Sequence, residues 1–147
     1  MHVPVLHAPC WCPFEGRVPR SDSEHLEALT AAVFSARFNP DIVRRRWPAI
    51  RTAFGEFQLD LVASWPDSEA ERLLTYPGMI RNRKKVVATL RNARELVMRT
   101  VTHGSVRAYV DTFGSDTEAL VRELDGWAHY AGAPSLRCYL KCLGRIE

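Results

Sequence analysis

From Arg81 to His103 the sequence keeps one unbroken helical period, and directly before it stands a break that no helix tolerates. Val86, Leu90, Ala93 and Val97 recur at the spacing of one helix face, with Arg81, Lys84, Arg91 and Arg99 on the opposite side. Gly104 ends this helix, and Tyr76-Pro77-Gly78 separates it from an earlier one opening at Ser68-Glu-Ala-Glu. Two helices joined by so short a link must lie back to back. Leu73, Leu74, Met79, Ile80 and Val86 are placed to hold them together. The rest of the chain repeats the pattern. Ser23 to Phe34 puts Leu26, Leu29, Ala32 and Val33 on one stripe after a Ser/Asp cap region. Asn39-Pro40-Asp41 is a helix start by N-cap, proline at the first position and dipole-matched acid, and that helix is expected to run to about Phe54. A short segment over 58–64, helices over 105–113 and 115–130, and a last one from Pro134 to Leu143 complete the set. No convincing strand alternation, internal repeat or low-complexity tract is present. The expectation is an all-α compact bundle of about seven or eight short helices, a single domain over 1–147.

Charge gives the hairpin a partner. The net charge of +3 on 147 residues is unremarkable as a total. Residues 37–107, however, hold fourteen basic against seven acidic groups, an excess of +7, while both flanks are acidic. Seventeen of the twenty bases are Arg, the residue type whose planar fork grips phosphate. Between Pro77 and Arg94 stand six bases and no acid. Free N–H groups at the start of the outgoing helix form a seat for phosphate, and Gly78 allows the close backbone approach. Gly78, Ile80, Arg81, Arg83, Lys84 and Lys85 are therefore the candidate DNA-binding residues of a helix-hairpin-helix, which holds double-stranded DNA by its backbone phosphates. A tight turn between helices with a solvated basic face is the plainer alternative. No apolar run is long enough to span a membrane, and no secretory signal is visible, so a monomer in the cytoplasm with reduced thiols is expected.

The stretch Tyr76-Pro-Gly-Met-Ile-Arg-Asn-Arg-Lys-Lys-Val, with Asn92-Ala93-Arg94 beyond it, resembles the hairpin segment of the 3-methyladenine DNA glycosylase I family. Glu15-Gly-Arg-Val-Pro resembles the stretch leading into that family's first helix. The resemblance implies an all-α helix-hairpin-helix glycosylase that flips an alkylated adenine from DNA and cleaves its N-glycosidic bond, with no cofactor for the chemistry. It also implies a pocket glutamate late in the first helix and a tryptophan opening the second. Aligned back from Phe54, those positions hold Ala32 and Pro40. Glu15 is then the weak catalytic candidate, and Trp11, Phe14, Phe34 and Phe38 are the aromatic candidates for a base pocket. Phe34 and Phe38 as core residues, and Trp11 as a cap on the N-terminal loop, are the competing assignments.

Four cysteines stand in two pairs, Cys10 and Cys12 near one end, Cys138 and Cys142 one helical turn apart near the other. The family's zinc ligands also come from both ends of its chain, so a structural zinc on Cys10, Cys12, Cys138 and Cys142 is one reading; buried apolar cysteines are the other. Three functions stay open: an active alkyladenine glycosylase, a DNA-binding relative that keeps the hairpin without the pocket, and a structural helical domain.

Overall fold

The computed structural model describes residues 10–14 and 16–146, and its described residues form eight α-helices and no strand. In chain order these are α1 (Asp22–Ser35), α2 (Pro40–Ala53), α3 (Leu59–Ser64), α4 (Ala70–Leu74), α5 (Arg83–His103), α6 (Val106–Asp111), α7 (Thr117–Asp125) and α8 (Ala133–Cys142). Helix α1 is the axle. Its sequence is apolar or small almost all round after Leu26, and every residue from His25 to Ser35 is buried. It packs against α2, α5, α6 and α8, while α5 lies across α3, α4 and α6.

The caps are those the sequence announces. Ser21 Oγ accepts from Glu24 N, Asn39 Oδ1 from Asp41 N, and Asn82 Oδ1 from Lys85 N. Three boundaries move. Helix α5 opens at Arg83 rather than Arg81 because Asn82 takes the N-cap role. The region 67–74 splits into a 3-10 turn over Asp67–Glu69 and a short α4. Helix α7 stops at Asp125, where the chain caps on Gly126, well short of Tyr130.

After α2 the backbone turns through three left-handed residues, Gly55, Glu56 and Phe57, at φ 62°, 61° and 57°. Glycine enters this left-handed turn without strain, and a Cβ on Gly55 would meet the end of the exposed Leu61 side chain at 2.6 Å. The turn places the fully buried Phe57 ring stacked on Trp47 and on Phe54, with centroids 5.5 and 5.4 Å apart. Trp47 thereby gains a rigid aromatic backing.

Candidate functional site

The hairpin is built as a turn with one obligatory glycine. Met79 N–H donates to the Tyr76 carbonyl at 3.0 Å, and Gly78 sits inside that turn at φ 92°. A Cβ there would fall 2.7 Å from Ala49 Cβ, so the turn rests directly on α2. Met79 and Ile80 are buried, and Leu73 and Val86 join them in the core between α4 and α5. Arg81, Arg83 and Lys84 are exposed, and Arg83 pairs with Glu71 across the hairpin. Lys85 is different. It is 2% exposed, and its ammonium donates to the carbonyls of Phe34 at 2.7 Å and Ala36 at 2.8 Å. Those are carbonyls at the C-terminal end of α1, which no helical N–H satisfies. Burial pulls the Lys85 ammonium down to about 8.

A second cluster lies between α1 and α2. Glu27 is 5% exposed, and its Oε2 accepts from Trp47 Nε1 at 2.8 Å. Arg51 Nε stands 3.5 Å from the other carboxylate oxygen and also pairs with Glu56. Burial raises the Glu27 carboxyl above its ordinary range, against the opposing pull of Trp47 and Arg51. Trp11 meets the Trp47 ring edge-on, centroids 5.3 Å apart, and is half-buried. The result is a buried acid oriented by the Trp47 indole N–H and flanked by a guanidinium. The hairpin turn and this acid share one support: Ala49 and Trp47 are two residues apart on α2.

A family model described as methyladenine glycosylase matches residues 7–131. The chain belongs to the methyladenine glycosylase family. That membership makes it a DNA glycosylase by class. Solved structures agree in fold. A glutamate-to-glutamine variant of 3-methyladenine DNA glycosylase I from Staphylococcus aureus superposes with TM-score 0.78 at 18% identity, over 88% of this chain and 81% of that one. A tyrosine-to-phenylalanine variant of 3-methyladenine DNA glycosylase I, in complex with 3-methyladenine, gives TM-score 0.77 at 18% identity over the same shares. A solution structure of 3-methyladenine DNA glycosylase I gives 0.71 at 22%, covering 88% of this chain and 81% of that chain. The enzyme family works without a cofactor.

On this methyladenine glycosylase the structure scatters several sequence candidates. Glu15 lies outside the described residues. Phe34 is fully buried and packs edge-to-face with Trp47 and Phe54, so it is a core side chain. Ile80 and Lys85 are buried too, which removes both side chains from the exposed basic face. Phe14 is half-buried under the Arg17 guanidinium, 4.8 Å from its centroid. Phe38 is exposed at the start of α2. Ala32, the position aligned with the family acid, is buried and apolar. Glu27 was not among the sequence candidates. Leu26, Ala28 and Ala31 beside it are apolar, but Ser23, Glu24 and Thr30 are not, so the local pattern does not mark Glu27 as a buried acid.

The cysteines overturn the expectation of free thiols. Cys10 pairs with Cys138 and Cys12 with Cys142 as disulfides, with Cα atoms 5.5 and 5.7 Å apart. Strand-like alternation of Cys10-Trp11-Cys12 sends both sulfurs to α8 and the indole between them to Trp47. With every cysteine paired, no group of three or more metal-ligating side chains gathers among the described residues. Among the described residues no helix is long and apolar enough to cross a membrane.

Proposed function

We propose that this chain, acting as one monomeric domain over 1–147, binds double-stranded DNA through Gly78, Arg81, Arg83 and Lys84 and hydrolyses the N-glycosidic bond of 3-methyladenine-type bases. The observation that carries the catalytic half is the Glu27–Trp47 pair. Methylation at N3 leaves the adenine with a delocalised positive charge while it is attached to the sugar, which weakens the bond to its ring. Tryptophan faces attract such a cation, and a carboxylate in an enclosed aromatic site stabilises it far more than it would in water. In the reaction water adds to the anomeric carbon and gives up one proton to solvent, the carbon–nitrogen bond breaks, and its electron pair leaves with the base, which becomes neutral. Glu27 supplies negative charge, Trp47 fixes the carboxylate by its N–H, and Trp11 and Trp47 furnish the walls. Glu27 thus fills, from a position earlier on α1, the role for which Ala32 has no side chain.

Incubation with methylated duplex and chromatography of the released bases tests this. Wild-type protein is expected to free 3-methyladenine above background, and Glu27→Gln to slow release about a hundredfold with duplex affinity unchanged. Full activity in Glu27→Gln would remove the residue from the chemistry. No release by wild type would favour the second reading, a non-catalytic DNA-binding relative, which the apolar Ala32 supports. A cytoplasmic location is our expectation, and in such a reducing compartment the two disulfides would give way to thiolates. Reduced Cys10, Cys12, Cys138 and Cys142 are a complete four-thiolate set of the type that holds a structural zinc, and the metal would then close the same staple.

A further inference from the structure

The hairpin turn shares its surface with one face of α2. A Cβ on Gly78 would fall 2.7 Å from Ala49 Cβ, so the turn lies on the side of α2 that Ala49 marks. At about 100° per residue, Arg45 and Arg46 fall about 40° and 60° to either side of Ala49, and Arg44 about 140° away. Along the helix axis one turn, about 6 Å, separates Arg45 from Ala49. Both arginines are thus carried beside the hairpin turn, on the strip of α2 that supports it, and both are exposed. From Ile42 to Gly55 the sequence holds four arginines and no acid.

Pairing separates these cations from their neighbours. Farther along α5, Arg91 and Arg94 share Asp67, and Arg99 faces Glu95. On α2 itself Arg44 stands 3.7 Å from Asp41, and Arg51 is turned to Glu27 and Glu56. Arg45 donates through Nε to the Asp41 carbonyl at 3.4 Å. Among the described residues no carboxylate pairs with Arg45 or Arg46, nor with the exposed Arg81 and Lys84 on the hairpin side. Like charges gathered around one helix contact repel one another, and the fold sets no acid among them. A polyanion offsets that repulsion.

We propose that Arg45 and Arg46 form a second phosphate station, on α2, that grips the DNA backbone next to the phosphate seated at the hairpin. The proposal rests on the reading that the hairpin holds duplex DNA. Each strand of a duplex presents a charge about every 3.4 Å along the axis, so a separation of about one helix turn reaches a neighbouring phosphate. A guanidinium fork meets phosphate with two parallel N–H donors, and such contacts fix the register of a protein on the duplex without reading sequence.

Equilibrium binding of undamaged duplex DNA across a salt series tests this. Arg45→Ala and Arg46→Ala are each expected to lower the slope of log affinity against log salt by about 1, and the double variant by about 2. Arg45→Lys with Arg46→Lys keeps the charges and is expected to keep the slope. Arg44→Ala, on the far side of α2 and facing Asp41, is expected to leave it unchanged. Melting temperatures equal to wild type separate lost contacts from lost fold. If the double alanine variant keeps the slope while Lys84→Ala lowers it, the station is overturned and the hairpin reading stands. If Arg44→Ala lowers the slope as much as Arg45→Ala, the effect belongs to net charge, and the assignment to this face is overturned. If wild type binds no duplex at any salt concentration, the hairpin reading fails, and this proposal falls with it.

Discussion

A single buried imidazole ties this fold to pH. His25 is 3% exposed on α1; its Nδ1 lies 3.2 Å from the Tyr139 hydroxyl, and its Nε2 has no hydrogen-bond partner among the described residues. Burial holds it down at about 4, against an ordinary value of 6.5, so it is neutral in the folded protein. Between those two values the unfolded chain takes up a proton that the folded chain refuses. The contribution to stability is full above 6.5 and is lost as pH falls toward 4, by about 3 kcal/mol. Urea unfolding at pH 7 and pH 4.5 is expected to show that decline, and His25→Gln, which keeps a partner for Tyr139 and does not titrate, is expected to flatten it. Glu27 illustrates the opposite limit of what a sequence shows. Neither its burial nor its partner was readable: polar Ser23, Glu24 and Thr30 flank it on α1, and Trp47 stands on another helix that only the packing of α1 on α2 brings to it.

At the level of elements the hairpin was the most legible part, because glycine, proline and asparagine carry their own conformational instructions. Gly78 at the left-handed turn and Asn82 as N-cap do what those residue types do in isolation. Lys85 was misplaced because charge in a sequence reads as solvent exposure, and nothing local reveals that unsatisfied carbonyls of α1 lie above it. The distinction is measurable. Lys84→Ala is expected to leave the melting temperature unchanged and to lower the slope of log affinity against log salt by about 1. Lys85→Ala leaves the Phe34 and Ala36 carbonyls unbonded and is expected to cost about 2–3 kcal/mol in urea unfolding. Gly78→Ala meets both a left-handed backbone and Ala49, and is expected to loosen the turn from α2, lowering stability by more than 1 kcal/mol and DNA affinity with it. Equal effects of Lys84→Ala and Lys85→Ala on the salt slope would contradict this division of roles.

Across the whole molecule the decisive connection is the one between its two ends. The all-helical architecture followed from periodicity and caps, whereas the convergence of Cys10 and Cys12 on α8 depends on how α8 docks against α1, which no local pattern encodes. The sequence separations are 128 and 130 residues. Closing a loop of that order stabilises by about 4–5 kcal/mol in the chain-entropy picture; the second bond adds much less, since its ends are already held together. Reduction in the presence of a chelator is therefore expected to lower the melting temperature by about 10 °C or more. Thiol titration in denaturant identifies the linkage: no free thiol marks two disulfides, and four thiols with one equivalent of metal mark a zinc closure. The functional consequence follows from Trp11, which lies between the two bonded cysteines and against Trp47. Releasing the staple frees the wall of the Glu27 site and leaves the hairpin, far along the chain on α4 and α5, in place. Reduced, metal-free protein below its melting temperature is thus expected to keep its duplex affinity and salt slope while base release falls at least tenfold. A parallel loss of both, or of neither, would show that the Cys10–Cys12 segment does not govern the Glu27 site.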